Sequence, residues 1–137
     1  MSEQKSFLYQ TKISNEAMDS LGHVNHAYYL TLFEYARWQI LEQKNLRDRL
    51  MNELKIGPII LEANVKYKAE LKLEDEITIQ SRFEPFKRDL IFKAIQSMHR
   101  GEDLISEGEY IISFMDLKQR KMCQVPPDIR DALFNLK

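Results

Sequence analysis

Apolar and polar side chains alternate from Ser6 to Ile13, with Phe7, Tyr9 and Ile13 on one side and Ser6, Gln10 and Lys12 on the other. A period of two predicts a half-buried first strand. Asn15 to Asn25 is irregular and carries Gly22, whereas His26 to about Lys44 contains neither proline nor glycine. That stretch predicts one dominant helix of about 28 Å. Its apolar residues, among them Tyr28, Tyr29, Leu32, Phe33, Trp38 and Ile40, cover most of its circumference. Such a helix is expected as a core rod with protein on nearly every side. A short polar helical piece follows over about Leu46 to Leu54, and Gly57 and Pro58 are expected to end it.

From Ile59 the period changes from 3.6 back to two. Ile59, Leu61, Ala63, Val65 and Tyr67 form one strand pattern, and Ile77, Ile79, Ser81 and Phe83 form the next. Residues 84–89 and 99–103 punctuate two more strands, about Leu90 to Met98 and Leu104 to Leu117. Short connections of this kind favour antiparallel pairing. The expectation is a strand, a long helix, a four-strand meander, and a terminal helix from Pro126 and Pro127 to about Leu136. Nothing divides the chain, so residues 1–137 read as a single α+β domain in which the rod and one face of the sheet bury each other. The sheet's exposed edges make pairing with a second copy a plausible completion.

Composition narrows the partners. Twenty Lys and Arg against 21 Asp and Glu leave a net charge of -1. No global field attracts nucleic acid or an anionic surface, so an anionic ligand has to be met locally. The single Cys123 has no internal disulfide partner, and the first ten residues lack the basic start and apolar run of a signal peptide. A cytoplasmic protein without a membrane span is expected. The four glycines and the absence of phosphate-loop motifs argue against nucleotide hydrolysis. His23, His26 and Asp19 lack an evident fourth ligand, which argues against a metal.

The segment "DSLGHVNHAYYLTLFEYAR", from Asp19 to Arg37, resembles the loop and central helix of hotdog-fold acyl-CoA thioesterases of the 4-hydroxybenzoyl-CoA thioesterase type. That motif runs through an acid, a glycine, H-V-N-N or V-Y-H, a tyrosine and F-E-x-A-R. "ANVKYKAELKLEDEITI" and "CQVPPDIRDAL" are similar to later parts of the same family, so the resemblance covers most of the chain. It departs at Lys68, Ala69 and Glu70 and at Arg88 and Asp89, where the family often has proline-alanine and a hairpin serine. The resemblance implies a hotdog fold, five antiparallel strands wrapped around one long helix. It further implies thioesterase activity on acyl-CoA or acyl-carrier-protein thioesters, no cofactor, and a homodimer or homotetramer.

Thioester hydrolysis needs an attacking water or carboxylate and a donor for the developing oxyanion. A helix starting near Asn25 offers unpaired N–H groups and the positive end of its dipole, making the N–H of Asn25 or a neighbour the candidate donor. The resemblance places Asp19 as nucleophile or general base. His26 matches the histidine of one family branch and His23 that of the other, to orient Asp19 or the substrate. Glu34 on the rod needs a partner, Arg37 at i, i+3, another polar group or an active-site water, and stands as a second carboxylate. Tyr29 is a candidate acyl contact, and Lys87 with Arg88 are candidates for the coenzyme phosphates. Two other readings share the fold: a dehydratase, which uses a histidine with a carboxylate from a different segment, and a non-catalytic acyl-thioester binding module.

Overall fold

The computed structural model describes residues 6–87 and 90–134, the side chain of Lys87 excepted. Strand β1 (Phe7–Lys12) leads through a 3-10 turn (Asn15–Ala17) into helix α1 (His26–Gln43). Next come α2 (Leu46–Asp48), continued by a π-turn at Arg49–Glu53, and the strands β2 (Ile56–Tyr67), β3 (Glu76–Lys87), β4 (Ile91–Arg100), β5 (Asp103–Asp116) and β6 (Lys121–Cys123). Helix α3 (Pro127–Phe134) closes the described chain. Among the described residues no helix is long and apolar enough to cross a membrane.

The strands pair throughout as antiparallel neighbours in the order β1-β3-β4-β5-β2, with β6 also on β5. This corrects the expected meander: β2 lies beyond β5, pairing Ile56 with Asp116 through Tyr67 with Ser106. Gly57 and Pro58 do not end a helix but belong to β2. Proline is tolerated there because β2 is an edge strand, where a missing N–H breaks no ladder on the open side. The short β6 was not expected either, since three residues carry too little alternation to register.

Helix α1 lies against the concave face of the sheet. Tyr29, Leu32, Phe33, Ala36 and Ile40 are buried and recur at spacings of three and four, which makes one inward stripe. The rod is not covered on every side, however: Leu30 and Tyr35 are 39% and 44% exposed. Five residues apart, they sit about 140° from one another round the axis, on opposite flanks of the inward stripe. At the other end of the core Phe92 stacks on Phe114 at 5.5 Å and meets Phe134 edge-on at 5.3 Å. Aromatic pairs of this geometry contribute about 0.5–1.5 kcal/mol each beyond the buried area, and Phe134 thereby fixes α3 to the sheet.

Buried Gln96 and half-buried Arg37 tie α1 to the sheet. Gln96, on β4, donates from Nε2 to the Phe33 carbonyl oxygen (3.1 Å) and to Ser81 Oγ (2.9 Å). Its Oε1 accepts from Arg37 Nη1 at 2.8 Å. The guanidinium also lies 4.2 Å above the ring of Tyr110, whose buried hydroxyl has no hydrogen-bond partner among the described residues. Burial holds the Arg37 pKa below its usual range and pushes that of Tyr110 up. The ring of Tyr110 lies over Gly108, where an added Cβ would come within 2.8 Å of it. Gly108→Ala is therefore expected to lower the melting temperature by several degrees, readable by calorimetry.

Candidate active site

The loop before α1 is pinched shut. Met18 and Val24 form an isolated antiparallel bridge, and the Asp19 N–H donates to the His23 carbonyl at 2.7 Å. Gly22 sits at φ 82 in the tip, a left-handed conformation that glycine adopts without steric cost. Asp19 Oδ1 accepts from the N–H groups of Leu21 and His23, both at 2.9 Å. One carboxylate oxygen thus builds the turn, while Oδ2 makes no hydrogen bond among the described residues. The His23 N–H is the largest reason that the Asp19 carboxyl titrates below the usual carboxylate range; partial desolvation opposes it, and the Leu21 N–H adds to the lowering.

Because the bridge joins Met18 to Val24, Asp19 and Asn25 each stand one residue beyond it on opposite arms. Asp19 pairs across the tip with His23 and Asn25 with Ala17, so the loop that carries the acid leads directly into α1. Asn25 caps the helix: its Oδ1 accepts from the Ala27 N–H at 2.8 Å, and its carbonyl accepts from Tyr28. Its own N–H donates to the Ala17 carbonyl at 2.9 Å. The expectation that Asn25 supplies an oxyanion donor is corrected by that bond. The first N–H of the helix without a partner among the described residues is that of His26.

The end of β2 and the segment after it form the facing wall. Tyr67 donates from its hydroxyl to the His26 carbonyl at 3.1 Å, and its ring meets those of His26 and Tyr29 edge-on. His23 Nε2 lies 3.5 Å from Glu70 Oε1, with both side chains more than half exposed. An exposed pair of this kind adds little stability, but it sets the imidazole between two carboxylates, Asp19 and Glu70. Arg100 holds the segment from below through the Glu70 carbonyl and Asp75 Oδ2, both at 2.9 Å.

Other sequence-derived candidates fall elsewhere. Tyr29, expected to touch substrate, is buried, and its hydroxyl accepts from the Leu71 N–H and donates to the Ala69 carbonyl. It anchors the 69–71 segment to the helix. Glu34 does not hydrogen-bond Arg37, which Gln96 draws inward; its Oε2 accepts from Trp38 Nε1 at 3.2 Å, about two and a half turns along the helix from Asn25. Tyr28 donates to Glu16 at 3.0 Å, and desolvation, with Glu16 beside it, pushes its pKa to about 12, so it stays a neutral donor. Arg88 and the side chain of Lys87 lie outside the described residues. Sequence reasoning missed the Glu70 pairing and the tie of Tyr67 to α1. The tyrosine that closes β2 was the available signal, because a terminal inward side chain has to land on the start of the helix.

A model of the thioesterase-like superfamily matches residues 14–133. The chain belongs to this family. It is 26% identical over 126 residues to the long-chain acyl-CoA thioesterase FadM of Escherichia coli, covering 90% of this chain and 94% of that protein. It is 25% identical to the acyl-CoA thioesterase YbgC of Haemophilus influenzae, across 96% of both chains. A 1,4-dihydroxy-2-naphthoyl-CoA thioesterase from Synechocystis superposes with a TM-score of 0.83 at 15% identity, covering 94% of this chain and 96% of that one. The fold is the hotdog fold: a curled antiparallel sheet with a long helix packed against it.

Proposed function

We propose that this protein hydrolyses acyl-CoA thioesters to the free acid and coenzyme A, with Asp19 as the acting carboxylate. Two observations support the reading: a carboxylate anchored through Oδ1 with Oδ2 free in the loop that leads into α1, and the unpartnered His26 N–H at the positive end of that helix. Asp19 Oδ2 takes a proton from water as the oxygen attacks the thioester carbonyl. The oxyanion is held at the His26 N–H. Its collapse breaks the C–S bond, and the departing thiolate takes up a proton. A donor in this role is worth about 3 to 4 kcal/mol of barrier. Direct attack by Oδ2 through a mixed anhydride uses the same groups; single turnover in labelled water separates the two, because only direct attack leaves the label on Asp19. His23 and His26 orient the carboxylate and the substrate. The names of the two sequence relatives support acyl-CoA as the carrier.

Either route needs ionised Asp19, whose pKa is lowered in the folded protein. Activity is therefore expected to hold as pH falls through the ordinary aspartate range near about 3.9 and to drop only below it. An acid limb of kcat/KM centred above pH 5, with the protein still folded, would assign the essential group elsewhere.

The His23 and Glu70 contact favours one second reading, since a histidine beside a carboxylate from another segment is the arrangement of a dehydratase. A 3-hydroxyacyl-CoA decides between them: thiol release means hydrolysis, and an enoyl chromophore lost in Glu70→Gln means dehydration.

We also propose that two copies join through the free edge of β2 and the outer flank of α1. Ile60 and Leu61 on that edge are 46% and 42% exposed, and an unpaired apolar edge strand invites continuation of the sheet. Leu61→Lys is expected to convert dimers to monomers in sedimentation experiments; an unchanged sedimentation coefficient would place the interface elsewhere.

A further inference from the structure

Between the second half of α1 and the first half of β2 lies a cavity of about 170 Å³ whose walls include Trp38, Leu41, Pro58, Ile60, Phe92 and Phe114. The wall is largely hydrocarbon. The charged groups at its edge are engaged, Glu34 by Trp38 and Arg37 by Gln96 and Tyr110.

The cavity is joined to the active-site mouth by geometry. Helix α1 and strand β2 run in opposite directions: Tyr67 at the end of β2 bonds His26 at the start of α1, while Pro58 and Ile60 near the start of β2 share the cavity with Trp38 and Leu41. Strand β2 therefore follows the helix from one to the other. On its row toward the helix Ile60, Ala63 and Tyr67 are exposed, Val65 is partly buried against the core, and Ala63 is too short to bridge to the helix. Nine residues separate Asn25 from Glu34 and thirteen separate it from Trp38, distances of about 14 and about 20 Å along α1. An extended hydrocarbon advances about 1.3 Å per carbon, from C–C bonds of about 1.5 Å at tetrahedral angles. The span corresponds to roughly 11 to 15 carbons.

We infer that this cavity receives the methyl end of a straight acyl chain of about 12 to 16 carbons, so that the substrate class is long-chain acyl thioesters. The inference rests on the proposed hydrolysis for its carbonyl end and adds the length rule. An aromatic or short acyl group, held with its carbonyl at His26, ends before the cavity and leaves it unfilled.

Trp38 is the protein's only tryptophan and forms part of the wall, which makes its fluorescence a local reporter. The probes are two sixteen-carbon thioether analogues of an acyl-CoA, which cannot be hydrolysed, one brominated near the CoA end and one near the methyl end. The methyl-end bromide is expected to quench more than half of the Trp38 emission at saturation, and the other to quench little. Stronger or equal quenching by the CoA-end bromide, or none by either, overturns the inference. Thiol release from saturated acyl-CoAs of four to eighteen carbons and from benzoyl-CoA gives the second readout. An optimum at twelve carbons or more, shifted at least four carbons shorter by Ile60→Trp, is expected. An optimum at ten or fewer, on benzoyl-CoA, or unmoved by that substitution, overturns it. Absence of hydrolysis on every thioester would sink the proposed function instead, and the quenching experiment would still decide what the cavity holds.

Discussion

Asp19→Ala lowers kcat for acyl-CoA hydrolysis by about 10² to 10⁴-fold while the protein stays folded, the usual scale for loss of a catalytic acid or base. The fold survives because the loop has other closures: the Met18 and Val24 bridge, and the bonds from Asp19 N–H to His23 and from Asn25 N–H to Ala17, are made by the backbone. Only the two bonds to Oδ1 are lost, and their donors, Leu21 and His23, lie in an exposed tip where water replaces the carboxylate. Asp19→Asn sharpens the test. It keeps an acceptor for the turn but removes the charge, so a purely structural aspartate would be largely rescued and a catalytic one would not. Thiol release at parent levels from either variant would remove Asp19 from the mechanism.

Gln96→Leu has the largest expected effect on stability. The two side chains are close in volume, so the change is chiefly polar. It takes away the acceptor of Arg37 and the donor to Ser81 and to the Phe33 carbonyl. Removing the hydrogen-bonding partner of this half-buried guanidinium costs about 1.5 to 3 kcal/mol. In a chain of this length that is a fall of roughly 5 to 10 °C in melting temperature. The double variant with Arg37→Met is expected to recover part of the loss, because both polar ends are then removed together. A Gln96→Leu protein as stable as the parent would show that Arg37 finds water or another acceptor.

The expected element order survives in the structure, and the reasons for the exceptions are local. Alternation locates a strand and its inward side chains but is the same whichever neighbour the strand takes. Nothing in Ile59 to Tyr67 therefore says that β2 lies outside β5; only Pro58, awkward in a central strand, pointed to an edge. The sequence left the partner of Glu34 open because Arg37 and Trp38 both lie within reach on a helix. Gln96, 59 positions further on, settles the choice by drawing Arg37 inward. The Asn25 N–H is engaged for a similar reason: its bond to the Ala17 carbonyl exists only once the loop has folded back on itself. The motif around Asp19 located the loop and the start of the helix, and tertiary hydrogen bonds decide which of their atoms are engaged.

The placement of β1 bears on how the chain acquires its structure. Phe7 pairs with Ser81 and Lys12 with Glu76, so the first strand made during synthesis waits more than 60 residues for its neighbour, and β2, from Ile56 paired with Asp116 to Tyr67 paired with Ser106, waits about 40 to 60 for β5. Pairings between such distant partners require large loops to close before any contact repays them, which sets folding in the millisecond to second range. Until β5 emerges from the ribosome, α1 has no complete sheet to lie on and its apolar stripe stands in water. The chain is expected to depend on chaperones or low temperature during expression more than its small size suggests.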